Sequence, residues 1–247
     1  MAQPIRFPAS VEQVRRHTPD VMSLRLRSQK RLPRFTPGQF VHLTMDAFDP
    51  ASFWPESRVF SVANAVGDRR TIDLTISRQG AYTARIIDEL QEGDEVWAKG
   101  PYGDFTVDAA HGCSQAVLVA GGTGVTPFCA FMDAALTAQA LPLAAVELHY
   151  GARTPELLLY RELATRCATH VPGFSVHLYA EHDVGGDAAQ GVTAGRIDIA
   201  RIVAAQQQPD DTAFYLSGPK PMIDALRFAL VEQHGIAPER VLVDAWE

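Results

Sequence analysis

Apolar and polar positions alternate along about the first hundred residues of the chain, in short runs that Pro and Gly separate. Ile72, Leu74 and Ile76 alternate with Asp73 and Thr75, which is the period of a half-buried antiparallel strand. The strand-sized runs cover residues 21–26, 39–45, 59–63, 72–76 and 95–98, and residues 82–90 have the spacing of a helix. Several short strands of this kind predict a small antiparallel β-barrel or sandwich.

After Gly112 the pattern changes to continuous apolar runs, each followed by a helical stretch. The apolar runs cover residues 116–120, 144–150, 175–180, 213–216 and 240–245, and the helical stretches cover 127–136, 155–166, 197–205 and 219–234. Apolar strands that alternate with helices predict a parallel sheet covered on both faces. We therefore predict a two-domain chain, with an antiparallel β-barrel or sandwich over residues 1–108 and an α/β parallel-sheet domain over residues 109–247. Residues 185–191 are predicted to be a flexible loop.

Composition and charge exclude several classes of function. Of the 247 residues, 47% are hydrophobic and 21% are charged, as in an ordinary globular protein. The net charge of −7 argues against nucleic-acid binding, which requires clustered cations. No long apolar run follows a basic stretch near the start, so we expect neither a signal peptide nor a membrane partner. We expect a cytoplasmic monomer.

The cysteines and histidines give no sign of a metal or disulfide framework. Cys113, Cys129 and Cys167 are far apart and odd in number, so we interpret them as packing thiols in a reducing compartment. The eight histidines lack a metal-ligand spacing such as HExxH, and no catalytic triad is indicated. We expect no metal.

One glycine turn has the context of a phosphate-binding site. Residues 117–127 read VLVAGGTGVTP, an apolar strand that leads through glycines into a helix. Glycines allow the backbone to approach a pyrophosphate, and Pro127 at the first helical turn leaves the other N–H groups directed at the anion. Pro127 replaces the third glycine of the usual dinucleotide fingerprint, and no P-loop lysine follows. A tight structural turn without a ligand is the alternative.

A second glycine turn ends the fourth strand of the predicted parallel sheet, where residues 214–222 read FYLSGPKPM. Ligands of open α/β sheets bind beyond the carboxyl ends of the strands, so the two glycine-marked ends are expected to converge on one cleft. The alternative is an ordinary strand-to-helix turn with Pro219 as an early helix residue.

Five motifs together resemble a known family over almost the whole chain. RVFSVAN, GAYT, GPYGDF, GGTGVTPF and LSGPKPM occur in this order and resemble the ferredoxin–NADP reductase superfamily. The resemblance implies a barrel that holds FAD, with FMN as the alternative, followed by a nicotinamide-nucleotide domain. It also implies hydride transfer in the cleft between the two domains.

The resemblance implies roles for residues of the barrel domain. Arg58 would pair with a flavin phosphate, Phe60 would lie against the flavin, and Ser61 would hydrogen-bond near its N5 edge. The family more often has Tyr at the position of Phe60, and Phe is also found in free-flavin reductases. The helix N-terminus at Gly80 and Thr83 matches a second phosphate-binding element. The implied flavin-binding set is Arg58, Val59, Phe60, Ser61, Gly80, Tyr82 and Thr83, with Arg78 as an auxiliary contact or a solvated side chain.

In the second domain, the resemblance implies that Gly122, Thr123 and Gly124 approach the pyrophosphate, with Thr126 nearby. Ser217, Gly218 and Pro219 would border the nicotinamide, and the family often has Cys at the position of Ser217. The last residues resemble the family's terminal acid-x-aromatic pattern, so Trp246 would cover the flavin as a gate, or else close the core. The implied catalytic set is Ser61, Ser217, Asp244 and Trp246.

The expected nucleotide is NADH rather than NADPH. NADP-dependent relatives tend to have Ser-Arg after the third parallel strand, whereas this chain has Glu181, His182 and Asp183. Carboxylates repel a 2′-phosphate and can bind ribose hydroxyls. Arg153 and Arg196 remain as an alternative phosphate site.

The resemblance implies a flavoprotein oxidoreductase that takes a hydride from NAD(P)H and passes electrons to a separate ferredoxin, flavodoxin or oxygenase. One alternative is the reduction of free flavin or another small acceptor. A further alternative is a non-catalytic electron-transfer subunit, although such subunits need a C-terminal cysteine cluster that the sequence lacks.

Overall fold

The computed structural model describes residues 3–65, 67–108 and 112–244. The chain divides into two compact units, which are described separately. Residues up to Thr106 make up most of the first unit, and nearly all residues from Val107 onward belong to the second. Each unit contains one six-stranded sheet.

The first unit is a nearly closed antiparallel barrel, which is one of the two forms that the alternating pattern predicted and the one that the family resemblance implied. Its strands are β1 (Ile5–Thr18), β2 (Val21–Ser28), β3 (Phe40–Thr44), β4 (Arg58–Ser61), β5 (Thr71–Ser77) and β6 (Glu95–Tyr102), in the order β4-β3-β6-β1-β2-β5. The edges meet beyond β4, where the N–H of Ala63 donates to the carbonyl of Asp73 over 2.8 Å. The Asn64 amide also accepts from the N–H of Asp73 at 2.7 Å and donates to the carbonyl of Thr71 at 3.3 Å.

The longest strand, β1, is the one that the sequence did not predict. Phe7, Ala9 and Val11 are buried with the expected alternation, but the strand is mostly polar beyond that point. The register with β2 also shifts between Val11 and Gln13. Because the alternation stops halfway, the pattern is too short to reveal a strand of 14 residues.

A single α-helix, α1 (Ala81–Glu89), lies in the described part of the first unit, one residue earlier than predicted. Its buried residues Tyr82, Thr83, Ile86 and Ile87 lie on the side that packs on the barrel. The N-terminus of α1 is therefore fixed by core packing.

The second unit is the predicted parallel sheet with helices. Its strands are β7 (Gln115–Gly121), β8 (Ala145–Ala152), β9 (Phe174–Ala180), β10 (Val192–Ala194), β11 (Thr212–Ser217) and β12 (Val241–Asp244), in the order β10-β9-β8-β7-β11-β12. Its α-helices are α2 (Thr126–Ala138), α3 (Arg161–His170), α4 (Ile199–Ala205) and α5 (Lys220–Phe228). Every residue from Ala116 to Gly121 is buried, so both faces of β7 are covered. This explains the continuous apolar runs.

Three segments of the second unit differ from the sequence prediction. The stretch 155–166 is a 3₁₀ helix, Pro155–Leu157, followed by α3 from Arg161, and 219–234 is α5 followed by a π-helical turn, Ala229–Gln233. The predicted loop at 185–191 is largely a 3₁₀ helix, Gly185–Gln190. The Arg161 guanidinium donates to Asp187 at 2.6 Å and also to Gln190, which holds this segment against α3.

Among the described residues, no helix combines the length and apolar content that crossing a membrane requires.

Candidate cofactor sites

The strand β4 places the RVFS motif at an edge of the barrel. Ser61 is paired with Phe40 of β3, and Phe60 with Val41. Ser61 is buried, Val59 and Phe60 are half-buried, and Arg58 is exposed. The motif therefore runs from a solvent-facing cation to a buried hydroxyl within four residues.

The Arg58 guanidinium is held in place by three neighbours. Its Cζ lies 4.9 Å from the centroid of the Tyr82 ring. Nη2 donates to Glu56 Oε1 at 2.8 Å, and Nη1 donates to the carbonyl of Ser57 at 2.8 Å. A guanidinium has five N–H donors, more than these contacts use, so Arg58 can also bind an oxyanion.

Tyr82 fixes the surface on which Arg58 lies. The Tyr82 ring is buried, and its Oη accepts from the N–H of Met45 at 3.1 Å and donates to the carbonyl of Glu56 at 2.9 Å. These bonds tie α1 to β3 and to the segment before β4. Tyr82 therefore positions Arg58 from within the barrel wall.

The N-terminus of α1 has the properties of an anion site. Thr83 Oγ1 accepts from the N–H groups of Gln79 and Gly80, at 2.8 and 3.1 Å. The N–H groups of the next residues have no acceptor within the helix, and the first turn has no acidic residue. Gly80 has a φ of −176°, which any residue adopts, and a Cβ there would meet no atom within 4 Å. The space in front of Gly80 is open, so these donors fit a phosphate.

Arg78 is engaged by carboxylates. Its Nε donates to Asp20 at 2.8 Å and its Nη2 donates to Asp88 at 2.7 Å. The sequence analysis gave Arg78 two alternatives, an auxiliary phosphate contact or a solvated side chain. The first alternative would require these ion pairs to open.

In the second unit, the two glycine turns pack directly against each other. They follow the adjacent strands β7 and β11, where Ser217 is paired with Ala120. A Cβ on Gly124 would lie 2.5 Å from the Cα of Gly218, and a Cβ on Gly218 would lie 3.1 Å from the Cα of Gly121. The structure thus brings the two glycine-marked strand ends together, and packing alone requires glycine at these positions.

Gly122 differs from its neighbours. It has a φ of +56°, and a Cβ there would meet no atom within 4 Å. Thr123 is half-buried, and its carbonyl accepts from Thr126 Oγ1 at 2.9 Å, which ties the turn to the start of α2. Gly122 therefore presents its backbone to open space, as a pyrophosphate requires, whereas Gly124 serves the packing of the turn.

Ser217 and Asp244 form a buried pair at the carboxyl ends of β11 and β12. Ser217 Oγ donates to Asp244 Oδ2 at 3.1 Å. The sequence analysis named both residues but missed their hydrogen bond, because only the register of the sheet brings them together. Gly218 and Pro219 lead from Ser217 into α5. Trp246 lies outside the described residues, so its role as a gate stays a prediction.

Arg196, one of the two arginines weighed as a phosphate site, has an acidic partner. Its Nε donates to Glu181 Oε2 at 2.9 Å, just beyond the end of β9. His182 follows Glu181, and its N–H donates to the carbonyl of Arg153 at 2.9 Å. The Glu181 carboxylate therefore offsets the positive charge of Arg196 at this strand end.

Comparison with known proteins identifies both units. Residues 8–107 match the model of the oxidoreductase FAD-binding domain, and residues 118–227 match that of the oxidoreductase NAD-binding domain. The chain belongs to the ferredoxin–NADP reductase superfamily. In members of this superfamily, FAD and a pyridine nucleotide are the groups that such domains bind, and the donor sets at Arg58, at α1 and at Gly122 fit them.

Two of the curated relatives are components of oxygenase systems. The reductase component of propane 2-monooxygenase from Mycolicibacterium smegmatis is 27% identical over 241 residues, which cover 96% of this chain and 66% of that protein. The ferredoxin–NAD(+) reductase component of the alkene monooxygenase system from Xanthobacter autotrophicus is 33% identical over 215 residues, which cover 85% of this chain and 61% of that protein. The chain thus spans less than two thirds of the length of these relatives.

Solved structures show the same two-domain fold. A cytochrome P450 reductase from Amycolatopsis is 25% identical with a TM-score of 0.78, covering 99% of this chain and 70% of that one. The flavohaem-like FAD/NAD-binding domain of nitric oxide dioxygenase from Vibrio cholerae has a TM-score of 0.78 at 18% identity, and the match covers 97% of this chain and 98% of that one. The second likeness concerns the fold alone.

Proposed function

We propose that this chain catalyses the transfer of a hydride from NADH to FAD and then passes electrons to a separate protein, a ferredoxin, a flavodoxin or an oxygenase. The flavin-binding barrel would comprise residues 1–108, and the nucleotide-binding domain residues 109–247. The observation that carries the proposal is the Arg58 guanidinium, held exposed on the Tyr82 ring beside an acid-free helix N-terminus. The donors at these two places fit the phosphate groups of a flavin nucleotide.

The residues of the first unit would bind and orient the flavin. Arg58 and the backbone N–H groups at Gly80–Thr83 would hold its phosphate groups by charge-assisted hydrogen bonds. Phe60 and Val59, both half-buried, offer an apolar surface to a ring system, and the buried Ser61 hydroxyl can donate one hydrogen bond in a fixed direction. When bound, FAD supplies the redox chemistry, accepting two electrons and a proton and releasing electrons singly.

The residues of the second unit would hold the nucleotide. Gly122 and Thr123 would bring backbone N–H groups to the pyrophosphate, with Gly124 and Thr126 maintaining the turn. Ser217 would border the nicotinamide together with Gly218 and Pro219. Because Asp244 Oδ2 accepts a hydrogen bond from the Ser217 hydroxyl, with 3.1 Å between the two oxygens, Asp244 fixes the orientation of this hydroxyl. We assign Ser217, Asp244 and Ser61 to the positioning of the reacting groups.

The preference for NADH over NADPH is part of the proposal. Glu181 stands at the end of β9, and its carboxylate would accept hydrogen bonds from ribose hydroxyls and repel a 2′-phosphate. The ion pair at 2.9 Å between Glu181 and Arg196 supports this preference, because it offsets the cation that a phosphate would need. The name of the Xanthobacter relative, which includes NAD(+), agrees with it.

The proposal is tested by an anaerobic absorbance titration of the FAD-loaded protein with NADH and NADPH in separate runs. We expect NADH to bleach the flavin band at lower concentration than NADPH. Glu181→Gln should narrow this difference, whereas the control Glu162→Gln, at an exposed position on α3, should leave it unchanged. No bleaching with either nucleotide, despite bound flavin, would contradict the proposal and favour a non-catalytic electron-transfer subunit.

Reduction of free flavin is the second candidate, and Phe60 at the position of the usual Tyr favours it. The two candidates differ in how flavin behaves during turnover. A reductase of a protein acceptor retains its FAD through gel filtration and reduces an added ferredoxin with NADH. A free-flavin reductase loses its flavin and shows an NADH oxidation rate that saturates with added FMN or FAD.

A further inference from the structure

Three side chains with metal-ligand chemistry meet on one face of the second sheet, apart from the glycine turns. Glu147 and His149 are two residues apart on β8 and therefore point to the same face. His177 on β9 is in register with His149. One ligand atom from each residue lies within 4.8 Å of the other two.

The three groups converge on one carboxylate oxygen. Glu147 Oε1 lies 3.0 Å from His149 Nε2 and 2.8 Å from His177 Nε2. The two imidazole rings are stacked, with centroids 4.7 Å apart and planes inclined by 10°. Two imidazole nitrogens and the carboxylate oxygen thus lie close together, and binding of one ion by all three would require the two stacked rings to turn toward a common centre.

His149 has an unsatisfied nitrogen at this point. Its side chain is 5% exposed, and Nε2 has no hydrogen-bond partner among the described residues. Although Nε2 lies close to Glu147 Oε1, the contact does not have the geometry of a hydrogen bond. A buried polar atom without a partner is costly, and such atoms are rare in native proteins. A ligand between the three groups would satisfy it.

The outer contacts orient the three side chains as they do around metal ions. His149 Nδ1 is hydrogen-bonded to Tyr179 Oη at 2.9 Å, which leaves Nε2 directed at the cluster. Gln206 Nε2 donates to the other carboxylate oxygen of Glu147 at 3.0 Å.

The cluster is accessible to an ion from solvent. The His177 side chain is 47% exposed, and that of Glu147 is 26% exposed. Glu147, Ser175 and Gln206 also line a small pocket of about 100 Å³. An ion can therefore reach the cluster without unfolding of the sheet.

We propose that Glu147, His149 and His177 bind one divalent first-row transition metal ion, with zinc as the reference ion and water completing the coordination. Two imidazoles and one carboxylate form a ligand set that suits Zn²⁺ with an open position. Bonds of about 2.0–2.2 Å place tetrahedral ligand atoms about 3.3 Å apart, within the 4.8 Å span of the cluster.

The experiment is isothermal titration calorimetry of the FAD-loaded protein with ZnCl₂, after removal of bound metal with a chelator. We expect one equivalent of Zn²⁺ to bind and to raise the Tm. His177→Ala should weaken binding at least tenfold and abolish the Tm increase, because one of three ligands is lost. Since His177 is half-exposed, this variant leaves no buried cavity and is expected to fold.

Two further variants separate ligation from general effects on the protein. His170→Ala removes an exposed histidine at the end of α3, outside the cluster, and should leave Zn²⁺ affinity unchanged. Tyr179→Phe removes the partner of His149 Nδ1 and should weaken binding by about 10-fold or more. No binding by the unmodified protein, or equal affinity in His177→Ala, would overturn the proposal and leave a hydrogen-bonded cluster that links β8 to β9.

Discussion

Arg58 is an exposed cation whose neighbours orient it more than they stabilise the barrel. Its ion pair with Glu56 lies at the surface, with the Arg58 side chain 46% exposed, and such pairs contribute little to stability. The Tyr82 ring and the carbonyl of Ser57 restrict the remaining freedom of the guanidinium. The arrangement therefore predicts an effect on flavin affinity rather than on folding.

Arg58→Ala should weaken FAD binding roughly 10- to 100-fold, because a hydrogen bond to a charged group is worth about 1.5–3 kcal/mol. The affinity is measured by fluorescence titration of the apoprotein with FAD. Arg85→Ala is the matched control, because Arg85 is also half-exposed and paired with the carboxylates Asp46 and Glu89. Equal FAD affinity in Arg58→Ala and the unmodified protein would refute the role of Arg58.

At the scale of residues, the sequence predicted where the motifs lie but not which distant residues contact each other. The RVFS and glycine motifs stand where they were predicted, since each is continuous in the chain. The bond from Ser217 to Asp244 and the meeting of His149 with His177 depend on strand register, which single-sequence patterns do not specify. The sequence analysis compared the histidine spacing with HExxH, a motif of a helix. Glu147 and His149 instead have the two-residue spacing that places side chains on one face of a strand, so this comparison missed them.

At the scale of elements, the contact between the glycine turns after β7 and β11 joins the ends of two central strands. The backbone of one turn occupies the volume that a side chain on the other would need. Because backbone atoms surround the Cβ position of Gly124, a side-chain rotation cannot create the missing space there. The packing of α2 and α5 against the sheet depends on this contact.

Gly124→Ala should therefore lower the free energy of unfolding by about 1–3 kcal/mol, as is typical of overpacking. Urea unfolding of the FAD-loaded protein measures this change. Gly186→Ala is the control, since a Cβ at Gly186 would meet no atom within 4 Å and its φ is not in the left-handed region. If both variants unfold at the same urea concentration, the packing role of Gly124 is wrong.

The sequence predicts a helix or strand correctly where its apolar positions follow a single clear pattern, and most elements of this chain have such a pattern. The runs at β5 and β7 were located because alternation and continuous apolarity are both unambiguous there. In contrast, β1 loses its alternation after Val11, and β10 has three residues, too few for any period. The 3₁₀ helix Gly185–Gln190 depends on Arg161, a contact from another element that composition does not encode.

At the scale of the whole molecule, the change of pattern near residue 112 was enough to predict two different units. Buried ionisable groups in the second unit add a pH dependence. Burial raises the pKa of the Cys167 thiol to about 11 and also raises the pKa of Tyr215. Both groups are neutral in the folded protein at neutral pH, and for Cys167 this agrees with the prediction of a packing thiol.

The folded protein should lose stability in alkaline solution. The folded pKa of Cys167, about 11, lies above its unfolded value of 9.0, so its contribution is complete below pH 9 and is lost as the pH rises toward 11. Urea unfolding between pH 7 and pH 11 measures this dependence. Cys167→Ala should show a shallower decline than the unmodified protein above pH 9, and an identical decline would show that Cys167 does not contribute.

The contact between the two glycine turns also limits which substitutions the sequence can accept. A Cβ on Gly124 would overlap the backbone of Gly218, and Gly218 has no side chain that a second substitution could shorten. A larger residue at position 124 therefore requires the backbone of the other turn to move, although about ninety residues separate the two turns in the chain.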